Sequence, residues 1–274
     1  MIKPRMLATD LDGTLLHSDG TVSERSRSAL QAAADAGLLV AFVTGRPPRW
    51  LDVLVDATGY VGVAVGANGA VLYDVTEERL VSAHLLPTDL MRELGDAIRT
   101  EYRDVAFAVE YGDGFAAEPG YVHDWVINPP YDRRGQPIAE PVVGDLATIT
   151  AEPAVKLLAK HHNADADAFL AAAVELVGDR ATITHSSSMG LLEISVHGVT
   201  KATGLAELAE RNGIAPHEVL AVGDMPNDIP MLQWAGRSYA VANAHPAVIE
   251  VADEVIGSND EDAVASLIEG MLAD

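Results

Sequence analysis

Asp10 and Asp12 stand two positions apart in ATDLDGTLL (residues 8–16), at the end of an apolar run and just before Gly13 and Thr14. Two carboxylates held close resist being ionised together without a counter-charge. A divalent cation supplies one. Magnesium favours oxygen ligands in near-octahedral geometry and keeps waters and a substrate phosphate in its shell. Asp10, the main-chain carbonyl of Asp12, and Asp224 offer three protein oxygens, and Asp228 is placed to hold a metal-bound water. A carboxylate nucleophile at Asp10 would divide a displacement at phosphorus into two steps through an aspartyl-phosphate. Asp12 would protonate the leaving oxygen and later deprotonate the attacking water. Gly13 allows a tight turn whose amides face a phosphate. The Thr44 hydroxyl, the Gly45 amide and the ammonium of Lys201 would hold its oxygens.

These groups act together only if the fold converges them. Residues 6–9 read as a short buried strand, 38–44 as a second and 61–65 as a third, with helical stretches between them. The second and third lack polar alternation, as strands covered on both faces do. Thr21 to Glu24 fits a capping box ahead of a helix that ends at Gly37. The β-α-β-α-β order predicts a parallel sheet with helices on both faces. In such sheets ligands bind at the carboxyl ends of the strands. Asp10 and Asp12, Thr44-Gly45-Arg46, Asn68 in GANGA, and Gly223 to Asp228 all follow apolar strands. Asn68 reads equally as a left-handed turn beside Gly69 or as a substrate contact. Arg46 reads as a substrate contact or as half of a surface ion pair.

The middle of the chain differs. GAVLYD and RLVSAHLL predict hairpin strands, PTDLMRELGDAIRTEY and DADAFLAAAVELVG predict helices, and VAFAVEY, VHDWVI, AVKLLAKHH and ATITHSS predict further strands. After GLLEISV the alternating style returns, from KATGLAELAERNG to the end. The expected fold is therefore α/β: a Rossmann-like parallel-sheet core from residues 1–84 and 191–274, carrying an inserted α+β module at 85–190. Hinges are expected near 82–87 and 186–190. Tyr121, His123, Asp124 and Trp125 form a polar-aromatic run suited either to packing or to reading a leaving group.

With 274 residues, nearly half apolar, the chain can bury a large core. Its formal charge of −23 argues against nucleic acid and against anionic membrane surfaces. A small phosphorylated ligand is compatible with that charge, since a metal and one lysine reverse the local sign. The absence of cysteine excludes disulfides, thiolate catalysis and Cys-ligated zinc. No apolar run approaches eighteen residues, and the N-terminal run is too short for a signal peptide, so the expected location is the cytoplasm. Oligomeric state stays open.

Together the motifs resemble the haloacid dehalogenase-like superfamily. DLDGT (10–14), Thr44, Lys201 and GDMPND (223–228) match its four motifs in order. TDLDGTLL, TGR, GANGA and GDMPNDIPML are similar to the Cof-like phosphatases, whose large α/β cap lies between the second and third motifs. The resemblance implies a magnesium-dependent phosphatase of small phosphorylated metabolites, either sugar phosphates or phosphorylated cofactors such as flavin or pyridoxal phosphates. It implies a nucleophilic Asp10, an acid/base Asp12, and magnesium on Asp10, Asp12 and Asp224. It implies phosphate contacts from Leu11 (main chain), Thr44, Gly45, Lys201 and Asn227. Two departures are Ala202 after the lysine, where glycine is usual, and Met225-Pro226 in the fourth motif. A phosphomutase on the same scaffold and a non-catalytic metabolite-binding protein are the rival readings.

Overall fold

A computed structural model describes residues 4–59, 62–112, 114–121, 141–185 and 190–273, without the side chains of 52–54 and 56. The expected strand VHDWVI and all but Tyr121 of the polar-aromatic run fall outside the described residues, as does most of the expected hinge at 186–190.

The first half of the core comprises β1 (Met6–Thr9), α1 (Glu24–Asp35), β2 (Leu39–Phe42), α2 (Leu51–Thr58), β3 (Val63–Gly66), β4 (Val71–Asp74) and β5 (Arg79–Ala83). The chain then builds the inserted module: α3 (Thr88–Glu101), β6 (Ala106–Glu110), β7 (Phe115–Ala117), β8 (Val142–Val143), α4 (Leu146–Ile149), β9 (Lys156–Lys160), α5 (Ala166–Val177), β10 (Ala181–Thr184) and β11 (Leu191–Val196). It returns through α6 (Lys201–Arg211), β12 (Val219–Gly223), α7 (Ile229–Trp234), β13 (Arg237–Ala240), α8 (Pro246–Val251), β14 (Glu254–Val255) and α9 (Ala263–Ala273).

The core sheet is parallel, in the order β14-β13-β12-β1-β2. Its interior strand β1 pairs Thr9 with Val222 on one side and Phe42 on the other, so both chain halves end at the same sheet edge. All four residues of β1 are buried, which explains its unbroken apolar run. Met6, Leu7 and Leu11 are fully enclosed, and each stabilises the core by about 1.5–3 kcal/mol. Helices α1 and α9 pack against each other, as do α6 and α7.

Three expectations need correction. The third strand joins the parallel sheet only through a bridge from Val43 to Val65, and β3 pairs antiparallel with β4 over four residues. Hairpin geometry from β3 through β5 captures it instead. The α1 cap is Ser23, which accepts from the Ser26 amide; Thr21 is engaged by Asp19 at 2.6 Å and does not cap. The inserted module also runs past residue 190. Strand β11 pairs antiparallel with β9 and β10 inside a second sheet ordered β10-β11-β9-β6-β7-β8, so the chain leaves that sheet only after Val196. Its apolar sequence suits either sheet. The module has its own apolar core, including Met91, Leu94, Phe107, Leu157, Phe169 and Ile194.

Candidate active site

Asp10 follows β1 directly, and its amide donates to the Val222 carbonyl. Residues 11–15 then wind into one wide turn closed by Leu16 N–H to the Leu11 carbonyl, 2.8 Å. Gly13 sits at φ +79°, and a Cβ there would lie 2.4 Å from Asp224 Oδ2. Glycine is therefore needed twice over, for the turn and for the approach of Asp224. Thr14 Oγ1 donates to Asp224 Oδ1 at 3.0 Å. The Leu11 side chain is buried in the core, so only its main chain can serve the site.

Lys201 is the first residue of α6, behind the cap Thr200, and is 1% exposed. Its Nζ donates to Asp10 Oδ1 and to Asp228 Oδ1, both at 2.6 Å. Burial alone would lower the lysine's pKa, but the two carboxylates hold it above the ordinary lysine range. An ammonium has three donors, so one N–H remains beyond these two bonds. The Ala202 departure leaves this geometry intact.

Asp228 is fully buried. Its Oδ2 accepts from the amides of Asp224 and Met225 at 3.0 Å each, and its Oδ1 accepts from Lys201. It fastens the 223–228 loop. Asp10, Asp224 and Asp228 bring one oxygen each within 4.8 Å of one another. Burial raises Asp10 well above the carboxylate range, against Lys201 and with help from Asp228, Asp224 and Asp12. Burial, then Asp228, pushes Asp224 up to about 7. Without a cation, these acids are short of positive charge. An all-oxygen, buried, acidic donor set of this kind fits a hard divalent cation.

Thr44 is 1% exposed, and its Oγ1 accepts from the Arg46 amide at 3.1 Å. Arg46 grips both oxygens of Asp12, through Nε at 2.7 Å and Nη2 at 2.5 Å. Of the two expectations for Arg46, the ion pair is what forms, and its partner is the acid/base candidate. Asn68 does adopt the left-handed conformation, φ +57°. Its side chain is committed at both ends: Nδ2 donates to Glu193 at 2.9 Å, and Oδ1 accepts from Asn227 at 3.0 Å. Asn227 Oδ1 is buried with no partner among the described residues.

Sequence reasoning missed four buried charged residues that join the two sheets. Lys156 donates to the Gly45 carbonyl at 2.7 Å and to Glu193 at 2.5 Å. Arg49 pairs with Glu110 at 2.5 Å. A charge inside an otherwise apolar strand, as in AVKLLAKHH, VAFAVEY and GLLEISV, was the available signal. It also missed how tightly GANGA abuts α6: a Cβ at Gly69 would lie 1.9 Å from the Thr200 carbonyl oxygen.

The model of the haloacid dehalogenase-like hydrolase family matches residues 7–268, and the chain belongs to that family. It is 28% identical over 270 residues to the 5-amino-6-(5-phospho-D-ribitylamino)uracil phosphatase YitU of Bacillus subtilis, covering 97% of each chain. It is equally identical over 270 residues to the pyridoxal phosphate phosphatase YbhA of Escherichia coli, covering 96% of this chain and 97% of the other. Among solved structures, SMU.1108c from Streptococcus mutans UA159 superposes with a TM-score of 0.84 at 23% identity, over 99% of this chain and 100% of the other. The subclass IIB sugar phosphatase BT4131 superposes with a TM-score of 0.80 at 19% identity, over 97% of this chain and 99% of the other. These likenesses bear out the α/β core with its inserted module. No helix among the described residues is long and apolar enough to cross a membrane.

Proposed function

We propose that the protein is a magnesium-dependent phosphatase of small phosphorylated metabolites, sugar phosphates or phosphorylated cofactors, working through an aspartyl-phosphate on Asp10. The observation that carries this reading is the buried Asp10 at the end of β1, held by Lys201 and grouped with Asp224 and Asp228. The relatives' activities on a ribitylaminouracil phosphate and on pyridoxal phosphate support the substrate class.

Asp10 attacks phosphorus, an Asp10–phosphoryl bond forms, and the ester P–O bond breaks. Asp12 gives its proton to the leaving oxygen, then takes one from the water that attacks the aspartyl-phosphate, as the Asp10–phosphoryl bond breaks and inorganic phosphate and the Asp10 carboxylate are released. Arg46, on both oxygens of Asp12, fixes where that carboxyl points and must release one oxygen for Asp12 to carry the proton. The third N–H of Lys201, the Thr44 hydroxyl, the Leu11 and Gly45 amides and the Asn227 side chain receive phosphate oxygens. Asp10, the Asp12 carbonyl and Asp224 would hold magnesium, with Asp228 behind them. The ion would neutralise phosphate charge and orient it for attack. No single contact suffices, since one oriented donor contributes only about 2.7–4 kcal/mol.

The test is phosphate release from a panel of phosphorylated metabolites, with magnesium and with chelator, by wild type and Asp10→Asn. Magnesium-dependent release by wild type alone supports the reading. Release that ignores both the metal and the substitution refutes it.

A further inference from the structure

Arg49 lies in the short turn between β2 and α2, with its side chain 6% exposed. Its Nη1 donates to Glu110 on β6. The guanidinium carbon stands 5.1 Å from the centroid of the Trp50 ring and 5.3 Å from that of Phe115. Nε and Nη2 are buried and have no acceptor among the described residues. Those two nitrogens form the side-on edge of the guanidinium. Arg25 and Arg46 use that edge to grip Glu269 and Asp12 with two bonds each. Burying charged donors unsatisfied is costly, so the open edge of Arg49 is set for an acceptor that none of the described residues supplies.

Arg49 is tied to the catalytic cluster by a continuous polar strip. Glu110 stands opposite Lys156 in the register of β6 and β9. Lys156 reaches Glu193 and the Gly45 carbonyl, Glu193 holds Asn68, and Asn68 holds Asn227 in the loop of Asp224 and Asp228. Within the strip the charges are matched, Arg49 with Glu110 and Lys156 with Glu193. An anionic group docked on Arg49 would bring a surplus negative charge beside buried Glu110, which is unfavourable. Rings flank the guanidinium, so its free edge best receives a group lying in the guanidinium's own plane.

We infer that Arg49 Nε–H and Nη2–H bind the leaving group of the substrate, and that this group is an uncharged, planar heterocycle with two adjacent acceptor atoms. The inference rests on the phosphatase reading. Arg49 is thus a specificity residue that takes no part in the phosphoryl transfer itself.

The test measures phosphate release from flavin mononucleotide, 3-phosphoglycerate, glucose 6-phosphate and phenyl phosphate. Their leaving groups are, in turn, a neutral heterocycle with paired acceptors, a carboxylate, a polyol, and a ring without paired acceptors. Wild type should favour flavin mononucleotide. Arg49→Lys keeps the charge but loses the fork. It should lower the ratio of kcat/KM for flavin mononucleotide to that for phenyl phosphate by about 10- to 100-fold, mainly through KM. Because a lone Arg49 substitution risks stranding Glu110, the paired variant Arg49→Gln/Glu110→Gln, which removes both charges together, should show the same fall. Equal losses on both esters would mean a structural role and overturn the inference, as would a wild-type preference for 3-phosphoglycerate or glucose 6-phosphate. Release from none of the four would overturn the phosphatase reading and this inference with it. Release with an unchanged ratio would overturn only the inference.

Discussion

Replacing Lys201 by methionine removes the one cation among the described residues that touches both Asp10 and Asp228, at 2.6 Å each, in a site where the lysine is 1% exposed. Breaking a buried pair by deleting one partner costs about 3–5 kcal/mol. The low end applies here, because Asp10 is already raised by burial and readily takes a proton in place of the lost charge. For a chain of this size, about 3 kcal/mol corresponds to a fall in Tm of roughly 6–12 °C. The pH dependence has a definite sign. A carboxyl whose folded pKa lies above its unfolded value loses stability as pH rises through the folded value. Deleting Lys201 raises Asp10 further, so the deficit should be larger at pH 8 than at pH 5.5. The assay is thermal unfolding in chelator at both pH values, for wild type and Lys201→Met. A deficit below 2 °C that is the same at both pH values would refute the reasoning.

Two further outcomes follow from the same geometry. Asp224, pushed up to about 7 by burial, must lose a proton to bind a cation. Magnesium should therefore raise Tm more at pH 8 than at pH 6, with proton release measurable by calorimetry in buffers of different ionisation enthalpy; a pH-independent shift would contradict this. Gly69→Ala places a methyl 1.9 Å from the Thr200 carbonyl at a φ of +94°. It should cost more than about 2 kcal/mol and reduce phosphate release by displacing Lys201, both visible in melts and steady-state assays.

The residues that converge on Asp10 were legible because each sits at a fixed offset from a strand end or helix start. Asp12, Thr44 and Asp224 need only the parallel order of β1, β2 and β12, which apolar runs reveal, and Lys201 needs the start of α6 behind Thr200. Asn68 was half legible: its left-handed turn is local, but its partners Glu193 and Asn227 are 125 and 159 positions away. The pairings of Lys156 with Glu193 and of Arg49 with Glu110 were not legible, because they depend on how β6, β9 and β11 assemble, which local sequence does not set. The misplaced boundary has the same origin, since the apolar residues of β11 would suit either sheet. At the α1 N-terminus two hydroxyl residues competed for the cap, and an Asp19 bond, invisible to spacing rules, decided between them.

The central claim is a covalent phosphoryl group on Asp10. It is tested most directly by acid-quenching the enzyme during turnover with magnesium and measuring the masses of the intact protein and its peptides. The account predicts one added phosphoryl group, mapped to Asp10, that accumulates in Asp12→Asn and is absent in Asp10→Asn. Continued phosphate release by Asp10→Asn, or phosphorylation at another residue, would contradict it.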